Sequence, residues 1–167
     1  FSSFLPGLAG VKGIPLWTFY TNRGQGMNSF GIDNKGNAIM EFNSANTAFE
    51  NTQVKGFRTF LKIDGEYYEP FFTYEKEAKR QMRMNKNSFK IIETNEKYGI
   101  EVTVNYYVLP NESIGALVRQ VSVKNIGDSA KEVQVIDGLP KIITYGIANG
   151  EFKEMSNLFK SWADIRN

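Results

Sequence analysis

Polar and apolar residues alternate with a period of two along most of the chain, the period of strands that bury one face. In EVTVNYYV, Val102, Val104, Tyr106 and Val108 share one face, and Glu101, Thr103, Asn105 and Tyr107 the other. ALVRQVSVKN follows, with Leu117, Val121 and Val123 on a face that also carries Arg119. A turn at Asn125-Ile126-Gly127-Asp128 then precedes renewed alternation at Val133 and Val135, the pattern of an antiparallel meander. Upstream, FRTFLKI meets EYYEPFF across Asp64-Gly65, a tight-hairpin signal. SFGI meets NAIMEF across Asp33-Asn34-Lys35-Gly36, and SFKIIET meets YGIEVTV across Asn95-Glu96-Lys97. Roughly eight to ten short strands at this spacing predict a mainly β chain, an antiparallel β-sandwich.

The end of the chain changes period. Phe152, Met155, Phe159 and Trp162 recur at helical spacing, widened by Leu158 and Ile165. Asn149-Gly150 opens this helix, and Glu151 and Glu154 suit its positive end. The division expected is a β-sandwich portion over 1–149 and an amphipathic C-terminal helix over 150–167. Such a helix needs a surface to cover, on this sandwich or beyond it.

Composition removes whole classes of chemistry. The chain has no histidine and no cysteine, so it has no Ser-His-Asp or Cys-His set, no disulfide and no thiolate or imidazole metal site. A formal charge of +2 gives no reason to expect nucleic acid or a membrane surface as partner. The most basic stretch, EKEAKRQMRMNKN, holds two glutamates and reads as a solvated loop. Neither a membrane span nor a signal peptide is evident, which points to the cytoplasm. The first residue is Phe1 rather than methionine, as expected of a piece of a longer protein.

Chemistry must then come from carboxylates, lysine, tyrosine or arginine. Glu41, Glu69, Glu93, Glu101 and Asp137 lie in or at the ends of candidate strands, and no pair among them has the neighbours that mark a glycosidic acid and base. Arg119, on an apolar face, calls for a carboxylate partner, with Asp137 and Glu41 the candidates. YTNRGQGMNSFGID fails the tests of a phosphate loop, because it leads into a strand and lacks the required glycine spacing. Its amides and Arg23, beside Trp17, Phe19 and Tyr20, have the composition of a sugar platform. The competing reading is a core strand followed by a turn in which Gly24 and Gly26 let the chain reverse.

The segment LPGLAGVKGIPLWTFYTNRGQGMNSFGIDNKGNAIMEFNSANTAFENT, followed by GFRTFLKIDGEYYEPF, resembles the N-terminal region of cellobiose-phosphorylase-like proteins, glycoside hydrolase family 94. The blocks YTNRGQG, SFGI, IMEF and GFRTF stand in the family's order, and VSVKNIGDSAKEVQVIDGLP and EMSNLFKSW extend the likeness over nearly the whole chain. The form most similar acts on β-1,2-linked glucooligosaccharides. This resemblance implies a galactose-mutarotase-like supersandwich, incomplete at this length, beside an (α/α)6 barrel that carries an aspartate general acid. It implies phosphorolysis with inversion and release of glucose 1-phosphate, with inorganic phosphate as co-substrate and no metal or other cofactor. The expected partners are the barrel, a β-glucan oligosaccharide and a second copy in a homodimer. No catalytic residue is expected in this chain, while Trp17, Tyr20, Arg23 and Gln25 are the candidates to contact sugar or face the barrel. Two other functions stand beside this one: a stand-alone carbohydrate-binding module, and a structural assembly domain.

Overall fold

A computed structural model describes residues 1–5, 7–72, 77–143 and 146–162. Its elements are β1 (Ser2–Leu5), β2 (Trp17–Thr21), β3 (Met27–Gly31), α1 (Ala45–Lys55), β4 (Arg58–Ile63), β5 (Glu66–Tyr68), β6 (Ala78–Met84), β7 (Ser88–Asn95), β8 (Ile100–Val108), β9 (Leu117–Asn125), β10 (Val133–Gly138) and α2 (Asn149–Trp162). The strands form three antiparallel sheets, β1-β2-β3, β10-β4-β5 and β6-β7-β8-β9. The chain is mainly β, with a C-terminal helix and the layering of a β-sandwich.

Alternation builds the four-stranded layer. On β8, Ile100, Val102, Val104, Tyr106 and Val108 are buried and every intervening residue is less so. Phe89 and Ile91 of β7 extend the same inner face. Against it pack Tyr20 and Met27 of the first sheet and Leu61, Ile63 and Tyr68 of the second, in one core cluster. Phe89 lies between Tyr20 and Tyr106, with ring centroids 5.3 and 4.6 Å away. Each such ring adds about 0.5–1.5 kcal/mol beyond the area it buries.

The first sheet is covered on its other side by α1, so β3 is buried along its whole length. The helix contributes Ala48 and Thr52, small residues one turn apart, to that contact. Thr52 Oγ1 takes hydrogen bonds from Thr21 Oγ1 at 3.0 Å and Asn28 Nδ2 at 3.2 Å. A second cluster, Ala38, Ile143 and Phe152 with Trp17 and Phe42 beside it, seats the start of α2. Asn149 Oδ1 there accepts the Phe42 backbone N–H at 2.9 Å.

Two hairpins follow the sequence reading. Asp64 (φ 49°) and Gly65 (φ 94°) join β4 to β5, both in the left-handed region that a two-residue hairpin of this kind demands. Asn95 opens the β7–β8 turn by accepting the Lys97 N–H at 3.0 Å.

Three expectations are corrected, and one helix is added to them. Residues 37–42 form no strand: a 3-10 turn at Lys35–Asn37 leaves a single bridge, Gly31 to Ala38. The basic stretch is no loop, since Ala78–Met84 is strand β6, an edge strand whose charges point outward apart from Arg80. Residues 45–55, which the alternation did not mark, are helical. After β9 the chain does not fold back in a meander: β10 crosses to the other layer and pairs with β4, Val135 opposite Leu61. Of the helical stripe, Phe152 is buried and Met155 and Leu158 are exposed, while Ile165 lies outside the described residues.

Candidate functional site

The stretch from Tyr20 to Asp33 turns sharply between β2 and β3. Gly26 N–H donates to Arg23 O at 3.0 Å, and Thr21 N–H to Gly26 O at 2.8 Å. Gly24 (φ 51°) and Gly26 (φ 83°) take left-handed conformations. At Gly26 an added Cβ would lie 2.7 Å from Cε2 of Phe89, so glycine is also what lets the turn press on the core.

This geometry divides the four candidate sugar contacts. Gln25 is 3% exposed; its Nε2 donates to Thr59 Oγ1 at 2.9 Å and its Oε1 accepts from Arg119 Nη2. Tyr20 is buried, its ring against Phe89 and its hydroxyl 3.2 Å from Met84 Sδ. Neither presents a surface to a ligand, and Gln25 points into the sandwich rather than away from it. Arg23 is exposed, its guanidinium stacked 4.0 Å over Phe49 of α1. Trp17 is half-buried, donates from Nε1 to Asn34 O at 3.1 Å, and borders a cleft of about 380 Å³ with Phe4, Pro15 and Asp33. The structure therefore brings none of these four side chains together around one site.

What it does assemble is a polar cluster between the layers, centred on Arg119. The guanidinium binds Asp137 through Nη1 and Nη2, Gln25 and Thr59 (3.1 Å) through Nη2, and Tyr106 Oη through Nε at 3.2 Å. Its side chain is only 8% exposed, and it lies 4.9 Å over the Phe57 ring. Asp137, not Glu41, is its partner; Glu41 pairs with Lys141 at 3.0 Å. Burial pulls the Arg119 pKa down, but Tyr106 and Asp137 outweigh it and hold the guanidinium charged.

Burial pushes the Tyr106 phenol far above its ordinary value of 10.0, with Arg119 opposing only in part. Folded protein thus retains a proton that the unfolded chain loses above pH 10, and stability falls as pH rises through that range. The Tyr106 contribution has a slope of about 1.4 kcal/mol per pH unit. Tyr106→Phe is expected to flatten stability above pH 10, read from urea unfolding at pH 8 to 11; an unchanged slope contradicts it.

The other acids are held in the same way. Glu69 takes two hydrogen bonds from Arg58, at 2.7 and 2.8 Å, which raise the arginine pKa further. Glu93 is fully buried and accepts from Tyr68 Oη, Arg80 Nε and the Phe71 N–H, the last at 2.8 Å. Glu101 stands on the outer face of β8, opposite Lys124 in register. Four of the five candidate carboxylates are thus bound to a cation of this chain. Among the described residues no group of three or more acidic side chains could hold a metal ion, and no helix is long and apolar enough to cross a membrane.

The Glu93 cluster had a signal in the sequence. Glu93 falls in phase with Phe89 and Ile91, on the face that must be buried, just as Arg119 does with Leu117 and Val121. Thr59, in phase with Leu61 and Ile63, and Tyr106, in phase with Val104 and Val108, complete the other cluster and lie on buried faces of the same alternation.

Fold and polar clusters together define a mainly β, antiparallel sandwich-type domain whose buried charges are compensated internally. No protein-family model matches the chain, and no curated protein matches it.

Proposed function

We propose that this chain is a non-catalytic β-sandwich portion of a bacterial, cytoplasmic glycoside phosphorylase that cleaves β-linked oligoglucans with inorganic phosphate. The chemistry in this reading belongs to an (α/α)6 barrel outside the 167 residues, and the sandwich buttresses it. The ordered blocks from YTNRGQG to EMSNLFKSW carry the proposal through their resemblance to family 94. The tied carboxylates support the non-catalytic part, because an acid locked to arginine or lysine is a poor proton donor to a glycosidic oxygen.

The test is incubation of the chain with β-1,2-glucooligosaccharides and phosphate, in parallel with the longer protein that carries the barrel. The longer protein is expected to release glucose 1-phosphate and the 167-residue chain none. Release by the short chain overturns its non-catalytic role, and no release by the longer protein overturns the phosphorylase assignment.

A further inference from the structure

The outer face of the four-stranded sheet carries charge that the fold does not compensate. At one end the charges are matched: Lys79 donates to Glu96 at 2.6 Å, and Lys124 stands opposite Glu101 in register. Toward the β6–β7 hairpin they are not. Arg83 of β6 stands directly opposite Lys90 of β7, and Asn105 and Gln120 continue that rung across β8 and β9. The rungs on either side, from Gln81 to Ser122 and from Ser88 to Val118, hold no acidic residue. Lys86 stands in the hairpin itself, which is closed by the Asn85 N–H donating to Ser88 O at 2.9 Å. Arg83, Lys86 and Lys90 are exposed, and among the described residues no ion pair joins any of them to a carboxylate.

Like charges directly opposed across two strands destabilise a sheet. Two structural explanations for them fail. Edge protection accounts for a cation on β6, but β7 is paired on both sides, so Lys90 guards no edge. Neither cation joins the layers, since both stand on the face turned away from the core. Arg83 Nη2 donates to Gln81 Oε1 at 2.9 Å, which steadies the guanidinium on this face and leaves its other N–H donors for a further acceptor. Both described helices pack elsewhere, α1 on the first sheet and α2 on the 3-10 turn.

We propose that this face docks an acidic polypeptide, whose carboxylates lie over Arg83 and Lys90 with Lys86 at the rim. A guanidinium takes a carboxylate bidentately, and the amides of Asn105 and Gln120 alongside offer donors and acceptors to a peptide backbone. Three cations fall short of the roughly 6–10 phosphate contacts of a nucleic-acid site. The proposal is independent of the phosphorylase reading, and these side chains lie outside the buried clusters that join the layers. The test titrates the whole chain with an oligoglutamate peptide, followed by ¹H–¹⁵N NMR. Shifts should saturate and centre on Arg83, Lys90 and Asn105, and the affinity should fall as salt rises. Arg83→Gln combined with Lys90→Gln should weaken binding about tenfold. Lys12→Gln combined with Lys153→Gln removes the same charge from exposed positions elsewhere and should change binding less than about twofold. Lys90→Gln alone should not lower Tm, because it relieves the opposed charges. Absence of saturable shifts, equal weakening by both double variants, tighter binding of an oligothymidylate of equal charge, or a lower Tm for Lys90→Gln overturns the proposal.

Discussion

Glu93→Ala is expected to lower the unfolding free energy by about 3–5 kcal/mol, the cost of breaking a buried charged pair from one side. The carboxylate has no exposed surface and serves three donors from three places in the chain. Removing it takes away the acceptor that Glu93 offers the Tyr68 hydroxyl and the Phe71 N–H, each bond worth about 1–3 kcal/mol. Phe71 also sits at φ 67°, a left-handed conformation that costs a bulky residue about 1–2 kcal/mol. Its hydrogen bond to Glu93 helps to hold that conformation. Arg80 loses least, since it is one-third exposed and retains Phe72 O at 2.6 Å. For a domain of this size 1 kcal/mol corresponds to about 2–4 °C, so Tm should fall by roughly 6–20 °C. Glu93→Gln, which retains an acceptor and the shape, should lose clearly less. Equal losses for the two variants would show that the negative charge itself, and not an acceptor of the same shape, holds the loop.

Arg119→Met is expected to cost a similar amount, about 3–5 kcal/mol. One guanidinium joins β9 to Asp137 on β10, Thr59 on β4 and Gln25 in the glycine turn, so its loss loosens both layers at once. Arg119→Lys should not restore the stability. An ammonium has three donors on a flexible stem and cannot span this set of acceptors in one plane. Arg119→Met combined with Asp137→Asn should be less destabilised than the sum of the single changes, with a coupling of about 0.5–3 kcal/mol. Additive effects in urea unfolding would show that the two groups do not act as a pair.

The parts of the fold legible in the sequence are those in which local pattern and tertiary burial agree. β8 is apolar at every inward position, and the Asp64-Gly65 and Asn95 turns carry their own chemistry. β6 was hidden because its inward face holds Arg80 between Ala78 and Met82, a position that makes sense only with Glu93 across from it. α1 buries Ala48 and Thr52 and so has no apolar stripe to reveal it. The partner of β10 could not be read at all, since alternation marks a strand but not the strand it joins. In the candidate site, Gln25 and Tyr20 have the composition of a sugar platform, and only the position of β9 and β7 behind them turns those groups inward. The turn around Gly24 and Gly26 was legible, because glycine spacing reports backbone conformation directly.

The central claim, that the polar residues of this chain hold the sandwich together rather than meet a ligand, is tested most directly at the Arg119 Nε–H and the Gln25 side-chain amide. Their ¹H–¹⁵N resonances can be followed by NMR in the presence and absence of a β-1,2-glucooligosaccharide. Both groups should exchange slowly with solvent and stay unshifted when the sugar is added. Rapid exchange, or shifts that saturate with sugar, would contradict the account.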